Sequence, residues 1–227
     1  MRSAPFGVFG KIPSVGDFLR INTPPGFSSV WDDWLQRCLV SGAHAYGSGW
    51  DELYMSVPIW RFCLSPGVAG PSGIMGVLMP SVDRVGRRFP LTLMGPLSAS
   101  VPALEAHFRY AKIFEALETL SLSVLDEDIS KQTLESKLSD IRLATAQGGS
   151  TCQIAAGSSV VCRAGDTGQI AASLSTALLA RSFDTPTIWS TTMDEDARLM
   201  VCNGLPVGST MQGLFDLTAD FWKECIS

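Results

Sequence analysis

From Phe62 to Val82 the chain runs 21 residues without a charged side chain. A membrane-spanning helix needs about 20 such residues, but this run holds Pro66, Pro71 and Pro80 together with Gly67, Gly70, Gly73 and Gly76. Proline removes a helical donor and glycine weakens a helix interior, so the run divides into strand-like pieces and turns. Gly73 to Met79 reads as a strand, flanked in sequence by strands within Tyr54 to Leu64 and Phe89 to Leu97. Pro58 inside the first of these predicts an edge position or a bulge. Short links between the three make a meander of antiparallel neighbours. The other long uncharged stretch, Leu143 to Cys162, is diluted by Gln, Gly, Ser and Thr, and no membrane insertion is expected.

Around this meander, Phe6 to Gly10 and Asp17 to Ile21 read as two strands joined by the turn Lys11 to Gly16. After Pro24-Pro25-Gly26, Ser28 or Ser29 is placed to cap a helix whose apolar residues Trp31, Trp34, Leu35, Cys38 and Leu39 recur at helical spacing. A long helix starting near Ser100 and Pro102 is expected to face the core with Leu104, Phe108, Ala111, Leu117, Leu120 and Val124. Another is expected from Ser130 to Thr145. The order strand, strand, helix, three strands, helix, helix predicts an α+β layered fold with a central, mostly antiparallel sheet flanked by helices. Residues 1–146 form its core. Residues 147–227 supply a strand near Ser159 to Arg163, a helix near Ile170 to Phe183, strands near Thr187 to Thr191 and Arg198 to Cys202, and a C-terminal helix through Leu214, Phe215, Phe221 and Trp222. These are expected to extend the same sheet or cover its second face, as one globular unit.

Composition narrows function. A net charge of −5 has the wrong sign for a phosphate-backbone binder, so no nucleic acid is expected. With 46% hydrophobic and 17% charged residues, general disorder is excluded. The six cysteines are scattered without a C-x-x-C pair and read as small buried hydrophobes. Two isolated histidines, His44 and His107, do not make a zinc site, and neither metal nor cofactor is expected. No apolar signal-peptide stretch follows Met1 to Pro5, and the cytoplasm is the location expected by default.

Chemistry-bearing residues concentrate in two loops. Gly7-Val-Phe-Gly10-Lys11 has the wrong spacing for a phosphate loop, and Ile12-Pro13 stands where a magnesium-binding hydroxyl belongs. Lys11 and Asp17 nevertheless flank a turn in which Pro13 fixes one dihedral and Gly16 permits another. A binding role and a lock on the hairpin are both open. The second loop, Pro80 to Pro90, places Ser81, Asp83, Arg84, Gly86, Arg87 and Arg88 together. Arginine forks suit phosphates and carboxylates, and they equally suit internal pairing. No G-x-S-x-G elbow occurs and Ser72 fails the pattern, so catalysis would have to rest on carboxylates such as Asp17 and Asp83. Trp31, Trp34, Trp50 and Trp60 form either a recognition surface or core.

Four motifs together resemble the TagF (also called ImpM) family of bacterial type VI secretion system accessory proteins. They are G-x-F-G-K-x-P-x-x-G-D-F at Gly7 to Phe18, W-D-x-W-L at Trp31 to Leu35, P-x-W-R-F at Pro58 to Phe62, and P-S-x-D-x-V-G-R-x-F-P-L at Pro80 to Leu91. Pro186-Thr-Ile-Trp189, Asn203-Gly-Leu-Pro206 and Leu214-Phe-Asp216 look like the family's tail pattern. The resemblance implies a cytoplasmic, non-enzymatic regulator that represses assembly or firing of the apparatus after translation by binding a forkhead-associated-domain scaffold protein. Some relatives are fused to a phosphatase, an activity not expected of this chain. Lys11, Pro13, Gly16, Asp17, Ser81, Asp83, Arg84, Gly86 and Arg87 match the signature positions. The element order is also similar to longin and profilin-like platforms, which present a sheet edge or a helix face to partners. The alternative from another class is an enzyme or small-ligand site formed by Asp17, Asp83, Arg84 and Arg87.

Overall fold

The computed structural model describes residues 6–125, 129–143, 151–155, 159–163, 167–193 and 196–223. Two hairpins and a meander make one seven-stranded sheet. The meander is β3 (Trp60–Leu64), β4 (Ile74–Met79) and β5 (Leu91–Pro96). β1 (Gly7–Gly10) and β2 (Leu19–Ile21) add beside β5, and β8 (Pro186–Met193) and β9 (Asp196–Asn203) add beside β3. The order is β2-β1-β5-β4-β3-β8-β9, with every pairing antiparallel. The fold is therefore α+β. Among the described residues β6 (Thr151–Ala155) and β7 (Ser159–Arg163) pair only with each other, as a separate ribbon.

All six residues of β4 are buried, because helices cover both faces of the sheet. Met75, Val77 and Met79 join one core with α3 (Ala103–Arg109), α4 (Ala111–Ser123) and α5 (Lys131–Asp140). Ile74 and Leu78 join the other with α1 (Phe27–Tyr46) and α7 (Ser209–Phe215). The second core is aromatic. Trp31 stacks parallel to Trp189 at 6.0 Å, and Phe62, Trp34 and Phe27 pack around them. Each of these indoles reaches an acceptor: Trp31 donates to Thr92 Oγ1 (2.9 Å), Trp34 to the Pro206 carbonyl (2.9 Å), Trp60 to the Leu214 carbonyl (2.8 Å) and Trp189 to Thr187 Oγ1 (3.0 Å). The tryptophans are core and not a recognition surface.

Several expectations are corrected. Tyr54 lies in the short helix α2 (Trp50–Ser56), whose first turn carries Asp51 and Glu52. The strand begins only at Trp60, Pro58 precedes it, and β3 is central rather than an edge. α1 starts after Gly26 with no side-chain cap. Ser28 instead donates to Thr23 Oγ1, and Ser29 to the Gly26 carbonyl. The expected long helix breaks at Tyr110 (φ −102°, ψ 34°), a buried residue that lets α3 cross β3 and β8 while α4 follows β4 and β5; Phe108 is left exposed. The C-terminal helix is two pieces, α7 and α8 (Asp220–Lys223), separated where Asp216 accepts from the Thr218 N–H and hydroxyl. The remaining helix is α6 (Thr167–Leu179). Cys38, Cys63 and Cys202 are buried, while Cys225 and the side chains of Cys152 and Cys162 lie outside what is described.

Thr92 is fully buried, so replacing its hydroxyl by a methyl strands the Trp31 N–H. Thr92→Val is expected to cost about 1–3 kcal/mol, read as a lower urea midpoint at unchanged slope.

Candidate functional site

Because β1 runs antiparallel beside β5, the loop leaving β1 meets the loop entering β5. Gly10 makes the approach possible: its φ is 128°, and a Cβ there would lie 2.1 Å from the Pro90 carbonyl oxygen. The two motif loops thus touch, and Asp83 is where they join.

The Asp83 side chain has 0% exposure. Its Oδ2 accepts from Lys11 Nζ at 3.0 Å and from Arg87 Nε at 2.6 Å. Its Oδ1 accepts the N–H of Arg87 at 2.9 Å and of Val85 at 3.1 Å. Four donors fill the roughly four lone-pair positions of a carboxylate. Burial alone would raise this carboxyl's pKa. The Arg87 N–H, the Lys11 ammonium, the Arg87 guanidinium and the Val85 N–H outweigh it and hold the group well below the usual carboxylate range.

The backbone closes the same loop. The Asp83 N–H donates to the Arg87 carbonyl (3.0 Å), the Gly86 N–H to the Asp83 carbonyl (2.9 Å), and Gly86 takes a left-handed φ of 83°. Ser81 is buried beneath: its hydroxyl donates to the Lys11 carbonyl (2.8 Å), a second tie between the loops. The Tyr54 hydroxyl donates to the Ser81 carbonyl (2.8 Å) and accepts the Ser81 N–H (3.0 Å). Burial pushes that phenol's pKa up, so the donor is retained. Tyr54 was missed in the sequence because it stands in none of the motifs' charged loops. Ser14 likewise donates to the distant Ile129 carbonyl (2.7 Å).

The remaining predicted residues fall outside this knot. Pro13 sits in the turn where the Val15 N–H donates to the Ile12 carbonyl. Gly16 has no left-handed φ, and its carbonyl accepts from Arg87 Nη2 at 3.3 Å. Arg84 Nη2 lies 3.8 Å from where a Gly16 Cβ would stand. Asp17 and Arg84 are exposed, and among the described residues no hydrogen bond or ion pair involves either. Arg88 pairs with Asp51 of α2 at the surface. Asp17 and Asp83 thus differ: one is free at the surface, the other buried and saturated.

Elsewhere, His107 Nε2 lies 2.8 Å from Ser190 Oγ, a pairing across 83 residues that the sequence could not display. Burial, helped by Arg61, pushes its pKa down to about 4, and its buried Nδ1 has no partner among the described residues. A serine nucleophile needs a stronger base, oriented by a third group. Arg61 itself forms a two-pronged pair with Glu118 (2.7 and 2.6 Å) that ties β3 to α4.

Residues 7–141, more than half of the chain and the span that contains both loops, match the family described as "TagF N-terminal domain, Type VI secretion system-associated". The chain belongs to this TagF family. It is accordingly a type VI secretion system-associated accessory protein. The crystal structure of PA0076 from Pseudomonas aeruginosa PAO1 is similar over almost the whole length, with 27% sequence identity, a TM-score of 0.75, and coverage of 94% of this chain and 95% of that one. The likeness therefore continues past the TagF match into the C-terminal strands. No match is found among curated proteins.

Asparagine at 83 would put an amide where Lys11 and Arg87 need an acceptor, so Asp83→Asn is expected to melt several degrees lower. The pH dependence has a definite sign. A depressed folded-state pKa stabilises fully above the ordinary carboxyl value of about 4 and is lost as pH falls below it. Melts across an acidic pH series should therefore fall more steeply for the natural chain than for Asp83→Asn.

Proposed function

We propose that this TagF-family chain is a non-enzymatic, cytoplasmic regulator that represses assembly or firing of a type VI secretion system after translation, by binding a forkhead-associated-domain scaffold protein. One observation carries the reading: the carboxylate at the centre of the family's signature loops has both oxygens filled by protein donors. It has no acceptor left for a substrate or a water, and a general base must reach the proton it takes. What the knot does supply is rigidity. It fixes a loop tip on which Arg84 and Val85 are exposed, and at the loop's end Phe89 packs against the half-exposed Phe18 at 5.0 Å. A preorganised tip with an arginine and apolar side chains suits recognition, because little conformational freedom is lost on binding. Among the described residues, moreover, no helix is long and apolar enough to cross a membrane.

Arg84 and Arg87 separate binding from folding. Arg84→Glu should weaken retention of the purified forkhead-associated partner by at least about tenfold, roughly 1.4 kcal/mol, at an unchanged melting temperature. Arg87→Glu should lower both, since Arg87 is part of the Asp83 knot. Loss of the chain from the bacterium should raise secretion. A natural chain that retains no forkhead-associated partner, with secretion unchanged on deletion, would sink the proposal.

A further inference from the structure

The sheet ends differently on its two sides. On one side β2 has three residues, the middle one the exposed Arg20. A short, charged edge is one way for a sheet to avoid pairing with a neighbour. On the other side β9 has eight residues and no proline, and its register with β8 is unbroken from Pro186↔Asn203 to Met193↔Asp196.

The direction of its free backbone groups follows from β8. The Pro186 carbonyl accepts from the Ser65 N–H at the end of β3 (3.2 Å), whereas the Thr185 carbonyl accepts from the Gly204 N–H (2.8 Å). Even-numbered residues of β8 thus turn their peptide groups to β3, and odd-numbered residues turn theirs to β9. Opposed residues of an antiparallel ladder bond each other or both face away. With Trp189 opposite Met200, residues 198, 200 and 202 bond β8, and Ala197, Leu199 and Val201 direct their N–H and C=O groups outward. Among the described residues no backbone hydrogen bond outside the ladder reaches these three.

Their side chains share one face of the sheet, and all are apolar. Leu199 is 48% exposed. Ala197 beside it is exposed as well. The strand's charges are already matched: Arg198 pairs with Asp196 at 2.7 Å and lies over the Trp222 ring.

We propose that β9 is a self-association edge, pairing antiparallel with β9 of a second copy of this chain about a two-fold axis at Leu199. The strand is complementary to itself in that register. Leu199 faces Leu199 and Ala197 faces Val201 of the second copy, so outward peptide groups meet outward peptide groups and apolar side chains meet apolar ones. An axis one residue earlier would oppose the two Arg198 side chains directly, which disfavours that register. The inference is independent of the forkhead-associated partner.

Sedimentation equilibrium on the full chain tests it. The natural chain should move with concentration from 24.4 kDa toward twice that mass. Leu199→Lys should raise the dimer dissociation constant at least about tenfold. Ala197→Pro should do the same without adding charge, because it deletes an outward N–H that the ladder does not use and edge strands tolerate proline there. Both should keep the natural far-UV circular dichroism, and Val40→Lys, which adds the same charge at an exposed site on α1, should still dimerise. A natural chain that stays at 24.4 kDa overturns the proposal, even if its edge takes up a strand of another protein. So does a dimer unchanged in both β9 variants.

Discussion

A carboxylate removed from water is tolerable only when its charge and lone pairs are satisfied, and Asp83 meets that condition through residues of two loops. Lys11 comes from the connection leaving β1; Arg87 and the Val85 N–H come from the connection entering β5. The sheet order makes the meeting possible, since β5 leaves its partner in the meander on one side and takes β1 on the other. Gly10 then lets the strands approach to a distance that a Cβ would forbid. The knot and the rigid tip at Arg84 are organised around one buried charge.

The sheet that presents this knot is held by cores of different character. Mostly aliphatic residues fill the side under α3, α4 and α5, while indoles and phenyl rings dominate the side under α1 and α7. The aromatic side imposes the stricter geometry, because each buried indole N–H must find an acceptor. Two of those acceptors, the carbonyls of Pro206 and Leu214, belong to the C-terminal part of the chain. Sheet pairing through β3 and β8 and hydrogen bonding through Trp34 and Trp60 therefore bind that part to the first 141 residues.

Much of this was legible in sequence, for physical reasons. Trp31, Trp34, Leu35 and Cys38 recur at helical spacing and are buried on one face of α1. The prolines and glycines between Phe62 and Val82, apart from Gly76 inside β4, fall between the meander's strands. Legibility failed where two structures share a pattern: Tyr54 suits a strand by residue type but stands one helical turn after Trp50, and here both are the buried residues of a short helix. It failed again at Tyr110, where the apolar spacing runs on but the sheet beneath requires a change of direction. At the site, the motifs located Lys11, Ser81, Asp83 and Arg87 but gave them the same standing as Asp17 and Arg84. Spacing cannot distinguish a carboxylate that will be enclosed from one left at the surface. That difference is set by which strands become neighbours, a long-range property, as are the ties from Tyr54 and Ser14.

The central claim is that an enclosed, ionised Asp83 holds the loop rigid. Native-state hydrogen exchange at the Val85 and Arg87 amides tests it most directly. Both amides sit at an exposed loop tip, yet both donate to Asp83 Oδ1. Protection comparable to that of the flanking strands β4 and β5 is the predicted result. Exchange of these two amides at the rates of unstructured peptide, while β4 and β5 stay protected, would contradict it.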